Sequence, residues 1–90
     1  MKVYIINYKE STLDENNVLN VECGTCETAY DNEEDAIRAL GDVANGKLED
    51  LKAEADVDNA PLPELNGDGD YLCVVRGSDT YEFMVYQVLV

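Results

Sequence analysis

Three groups of side chains in this 90-residue chain recur at intervals that suggest a reactive or ligand-binding role. The first is a carboxylate series, Asp35, Asp42, Glu49 and Asp56, recurring every seven residues. On a helix that period drifts by only about 20° per step, so the four acids form one row with a repeat of roughly 10.5 Å. The second is Cys23-Gly24-Thr25-Cys26, formally a C-x-x-C pair, with Cys73 as a further thiol. The third is Glu64-Leu65-Asn66-Gly67-Asp68-Gly69-Asp70, whose oxygen donors and glycine follow the opening of a calcium-binding loop.

The last two groups fall short of a complete metal or redox site, which leaves a metal-binding protein using Cys23 and Cys26 or the Asp68–Asp70 turn as a third and weaker class of function. A structural zinc needs four nitrogen or sulfur ligands, and the chain has three cysteines and no histidine. A redox C-x-x-C belongs at a helix N-terminus, where the dipole lowers a thiol pKa. Here the pair follows the alternating run Val18-Leu19-Asn20-Val21-Glu22, which reads as a strand. The cysteines therefore read as small strand hydrophobes. In the calcium-like run the twelfth position, counted from Glu64, requires a bidentate glutamate and holds Val75. That run reads as a turn leading into a strand. The expectation is a protein without metal or cofactor.

Catalysis is disfavoured as well. Histidine, the commonest general base, is absent, as are a nucleophile elbow, a Walker loop and a Rossmann glycine fingerprint. A carboxyl acting as general acid needs a buried cleft that raises its pKa, whereas these acids read as surface. No catalytic residue is assigned, and the chain is not expected to be an enzyme.

What remains is charge. Twenty acids against six bases give a formal charge of −14. Such a field repels phosphate, which excludes direct binding to DNA, RNA or an anionic membrane. Residues 31–70 alone carry a net −10, so most of the charge lies on the central segment. Asp50, Asp58, Asp68 and Asp70 extend the row of Asp35, Asp42, Glu49 and Asp56 into a broader candidate surface. The magnitude exceeds the usual 2–8 for a small domain, and like charge destabilises the compact state. That cost points to a use: contact with a basic protein partner, one that itself handles nucleic acid.

In being short, very acidic and without catalytic equipment, the chain is similar to the DNA-mimic inhibitors made by phages and mobile elements. The resemblance is one of composition, and it implies occupation of a basic site in place of DNA or RNA. The alternative is a structural or assembly protein in which the acids only solubilise.

Periodicity gives the strands and helix on which these groups lie. Residues 2–9 and 18–28 read as strands joined by the polar loop 11–17. Asp31 as N-cap, with Glu34 three residues on, opens a helix over about 32–54. Its apolar stripe is Ile37, Leu40, Ala44, Leu48, Leu51 and Ala55. Asn45-Gly46 offers a place to split it, but the apolar phase continues unbroken across the glycine, which favours one helix. A loop over 56–70, containing Pro61 and Pro63, precedes strands at 71–76 and 80–90. The fold class is α+β: a two-layer β-β-α-β-β domain spanning 1–90, one helix on a four-stranded antiparallel sheet.

One helix covers one face of a sheet. The uncovered face is expected to carry Tyr4, Ile6, Tyr8, Tyr81 and Phe83, because tyrosine is enriched where one end of a side chain stays wet. Apolar surface left open in this way implies a homodimer or another docked protein. No apolar run approaches the roughly 20 residues of a membrane span, and the N-terminus lacks signal-peptide features, so the expected location is the cytoplasm.

Overall fold

Two tight glycine turns and one asparagine cap set the framework of the protein, seen in a computed structural model that describes residues 1–58 and 61–90. Five strands and one helix run in the order β1 (Lys2–Leu13), β2 (Leu19–Thr25), α1 (Glu33–Asp58), β3 (Glu64–Asp68), β4 (Tyr71–Arg76) and β5 (Asp79–Leu89). The sheet order is β2-β1-β5-β4-β3, and every neighbouring pair is antiparallel. The class is α+β, with one helix packed on a five-stranded sheet rather than four.

The extra strand comes from the segment expected to be a loop. Glu64–Asp68 pairs with β4 from Glu64↔Val75 to Asp68↔Tyr71, leaving Gly69-Asp70 as a two-residue turn. Gly69 at φ 63° takes the left-handed position that such a hairpin asks of its first central residue. Gly77, at φ 59°, does the same between β4 and β5. Pro61 and Pro63 precede β3 and do not interrupt its ladder. The calcium-like run is thus a strand–turn–strand, with Glu64, Asn66 and Asp68 in extended backbone.

The first strand also runs longer than expected, to Leu13, because β1 pairs on both sides. Its ladder with β5 continues to Ser11↔Thr80, and that with β2 to Leu13↔Leu19. Asp14 closes the β1–β2 turn by accepting backbone N–H bonds from Asn16 (2.8 Å) and Val18 (2.9 Å). These two donors, Val18 foremost, hold the Asp14 carboxyl below its usual pKa.

The helix starts one residue later than its expected cap. Asn32, not Asp31, accepts the Asp35 N–H at 2.9 Å, and its amide donates back to the Asp35 carboxylate at 3.0 Å. This is a reciprocal cap with Asp35 in place of Glu34. The helix then passes through Gly41 and Gly46 without a break and extends to Asp58. Ala36, Leu40, Ala44, Leu51 and Ala55 form its buried stripe, with Leu48 partly buried against the core.

Packing reverses the expected faces of the sheet. Ile6, Tyr81 and Phe83 are buried with Leu40, Ala44, Leu51 and Val74, and Tyr8 packs against that cluster. Tyr4 shares the helix-side alternation with Ile6. The physical reason is volume. Three of the five buried helix positions are alanines, so the sheet must supply the large side chains that fill the layer between them. The face turned away from α1 instead carries Val3, Ile5, Met84, Tyr86 and Val88 along β1 and β5.

Candidate functional site

The carboxylate row lies where the spacing placed it. Asp35, Asp42, Glu49 and Asp56 are all exposed, along the side of α1 away from the buried stripe, with Asp42 on the flank nearest β1 and β2. Two of the four have a cationic neighbour on the same helix: Arg38 lies 3.4 Å from Asp35, and Lys52 lies 3.6 Å from Glu49. Both pairs are exposed and weak, contributing about 0–1 kcal/mol each. Among the described residues Asp42 and Asp56 form no ion pair.

The remaining acids do not form one surface with the row. Asp50 is exposed on the flank of α1 that faces β1 and β2. The Asp58 side chain lies outside the described part of the structure. Asp68 pairs with Tyr71, one step out of phase with the core residues Leu72 and Val74, so it belongs to the face turned away from the helix. Asp70 sits in the β3–β4 turn, where its carbonyl accepts the Val85 N–H. The expected joint contact surface of row and loop therefore separates into a helix part and a hairpin part.

A second arrangement emerges only in three dimensions. The helix touches β1, β3, β4 and β5 but leaves β2 uncovered. Between α1 and the β1–β2 hairpin lies a shallow cleft of about 420 Å³, wide open to solvent. Tyr8, Cys26, Val43 and Phe83 supply its apolar lining, while Glu10, Glu22, Asp42 and Asp50 supply carboxylates. Glu10 and Glu22 stand directly opposite each other on neighbouring strands, a like-charge pairing that destabilises a sheet. Lys47 partly offsets it, with Nζ 3.7 Å from Glu10 and 4.3 Å from the centre of the Tyr81 ring. Gly24 lets the Tyr8 phenol lie across β2, because a β-carbon at that position would force the ring to shift.

Tyr8 and Phe83 lie on the helix-side face and not on the open face where they are expected, and Glu10, Glu22 and Gly46 join them without a local signal in the sequence. The only signal for the glutamates was the register of the first hairpin. Asp14-Glu15-Asn16-Asn17 suggested a turn, but not its pairing.

The cysteines lie apart. Cys23 pairs with Lys9, in phase with the open face, and is exposed, whereas Cys26 packs against the helix-side core. Cys73 is buried beside Tyr71 and Glu82, and burial pushes its thiol pKa up. Tyr71 donates to Glu82 at 2.7 Å, which keeps the phenol protonated well above the usual tyrosine range. Among the described residues no group of three metal-ligating side chains converges, and no helix is long and apolar enough to cross a membrane.

Fold and surface together define a small acidic α+β domain with one helix on a five-stranded antiparallel sheet. No protein-family model matches the chain, and no curated protein or solved structure matches it either.

Proposed function

We propose that this chain is a non-catalytic protein-binding module that engages a basic site on a nucleic-acid-binding protein. It occupies that site as a DNA or RNA mimic, in the manner of phage and mobile-element inhibitors, and works in the cytoplasm. The observation that carries this reading is the solvent-facing row Asp35, Asp42, Glu49 and Asp56 on one unbroken helix. From first to last acid the row spans roughly 31 Å, close to the 34 Å turn of duplex DNA. It is sparser than a phosphate backbone, so it supplies long-range attraction more than detailed imitation.

The supply of cations supports the same reading. Arg38, Lys47, Lys52 and Arg76 are each engaged by a carboxylate of the same chain. Little positive charge is left to oppose a basic partner.

The test is reversal of Asp35, Asp42, Glu49 and Asp56 to lysine together, with partner capture from the source cell at low and high salt. Recovery of a basic, nucleic-acid-binding protein by the native chain, lost in the variant and weakened by salt, is the expected result. Each single acid contributes little, whereas four reversals remove attraction and add repulsion. Unchanged capture by the variant would reduce the acids to a solubilising role.

The uncovered sheet face favours a second reading, a homodimer. Val3, Ile5, Met84, Tyr86 and Val88 form a strip whose neighbours Lys9 and Glu82 are opposite in sign. Two copies with a net charge of −14 can approach closely only across such a weakly charged surface. Sedimentation of the native chain against Ile5→Glu distinguishes the two: a dimer lost in the variant supports this surface, and a monomer in both removes it.

A further inference from the structure

We infer that the cleft between α1 and the β1–β2 hairpin is the seat of an arginine- or lysine-bearing peptide segment of the partner. The inference rests on the reading above, that the partner is basic, and says where its side chains enter.

The cleft has a size that admits side chains, about 420 Å³, and an apolar lining from Tyr8, Val43 and Phe83 suited to the stem of a long cationic residue. Its carboxylates come from two layers, Glu10 and Glu22 from the sheet and Asp42 and Asp50 from the helix, with Lys47 the one cation among the lining residues. The directly opposed Glu10 and Glu22 are a standing electrostatic cost that a bound cation relieves.

The chain already shows the chemistry on itself. Lys47 lies over the Tyr81 ring at 4.3 Å and within 3.7 Å of Glu10, combining an aromatic face with a carboxylate. Tyr8, Glu22 and Asp42 line the same cleft, and among the described residues neither of these two carboxylates is in an ion pair. An arginine fits such a set best, because its guanidinium stacks on an aromatic ring and pairs with carboxylates at once.

Gly46 makes the proposal testable without changing charge. It lines the cleft, and a β-carbon there meets nothing within 4 Å, so Gly46→Leu adds apolar bulk at the cleft without adding an aromatic face. Leucine is also a better helix former than glycine, so the variant keeps its fold. The probe is a fluorescein-labelled oligoarginine peptide at about 0.05 and 0.15 M salt, a range over which screening of exposed charge changes. Gly46→Leu is expected to weaken binding by about tenfold at the higher salt, mainly through faster dissociation. The double variant Glu22→Gln, Asp50→Asn, both at exposed positions, is expected to do the same by a separate route. The triple reversal Asp35→Lys, Glu49→Lys, Asp56→Lys lies outside the cleft and is expected to slow association while leaving dissociation unchanged.

Native affinity in both cleft variants, with loss only in the triple reversal, overturns the cleft and leaves the basic-partner reading standing. Absence of peptide binding by the native chain at low salt overturns both.

Discussion

The hydrogen bond from Tyr71 to Glu82 shows how one contact governs its surroundings. It occupies a half-buried carboxylate and lies beside the Cys73 thiol. Tyr71→Phe leaves that carboxylate without its donor, so unfolding titrations are expected to register a loss of about 1–3 kcal/mol. The pH dependence has a definite sign. The folded phenol holds its proton more tightly than the unfolded one, so its contribution is complete below about pH 10 and is lost above it. Native Tyr71 should therefore give an alkaline decline in stability that Tyr71→Phe reduces. The thiols give an independent check, since reactivity follows exposure and thiolate formation. Cys23 should be alkylated first, Cys26 more slowly and Cys73 only on unfolding, as peptide mapping over time would show. Rapid labelling of Cys73 would mean that β4 opens more readily than its burial implies.

At the scale of elements, the helix is held by its cap and by tertiary packing against residues with poor local propensity. Asn32→Ala removes the acceptor for the Asp35 N–H and should cost about 1 kcal/mol. Gly46→Ala should add about 1 kcal/mol, because the position is helical and nothing crowds a β-carbon there. In a domain this small, either change should move the melting temperature by about 4–8 °C, in opposite directions. Gly24→Ala, by contrast, should destabilise, since its β-carbon meets the Tyr8 ring and not open solvent. The same contrast explains which glycines were legible. Gly69 beside aspartates and Gly77 before serine carry turn signals, whereas the role of Gly24 depends on a side chain sixteen residues away.

For the whole molecule, the −14 charge is a term in stability as well as in recognition. Successive acids of the row stand roughly 10.5 Å apart, beyond the screening length of about 8 Å at physiological salt. Their mutual repulsion is therefore small in the cell and grows as salt is removed. The melting temperature is expected to rise with sodium chloride between about 0.01 and 0.15 M, where the screening length shortens from about 30 to 8 Å. Binding to a basic partner should weaken over the same range. A melting temperature that falls with salt would show that internal pairs such as Arg76 with Glu54, at 2.7 Å, outweigh the net repulsion. These opposed salt responses separate the electrostatics of folding from those of recognition.

Whatever depends on short-range periodicity and composition is written locally along the chain. The seven-residue carboxylate spacing, the 3.6-residue apolar stripe and the glycine turn at 77–79 are local patterns, so the helix, its exposed row and the β4–β5 hairpin could be read directly. The α+β class followed from the same signals. Tertiary structure decided what depends on register and volume. Only pairing could reveal that Glu64–Asp68 is an edge strand, because its polar, glycine-containing sequence has weak strand propensity and is held by β4. Only the fit of layers could decide that Ile6, Tyr81 and Phe83 face an alanine-rich helix, since strand alternation defines two faces without saying which is covered. The cleft belongs to the same category. Glu10 and Glu22 are twelve residues apart in sequence and acquire a joint meaning only when the β1–β2 register sets them opposite each other.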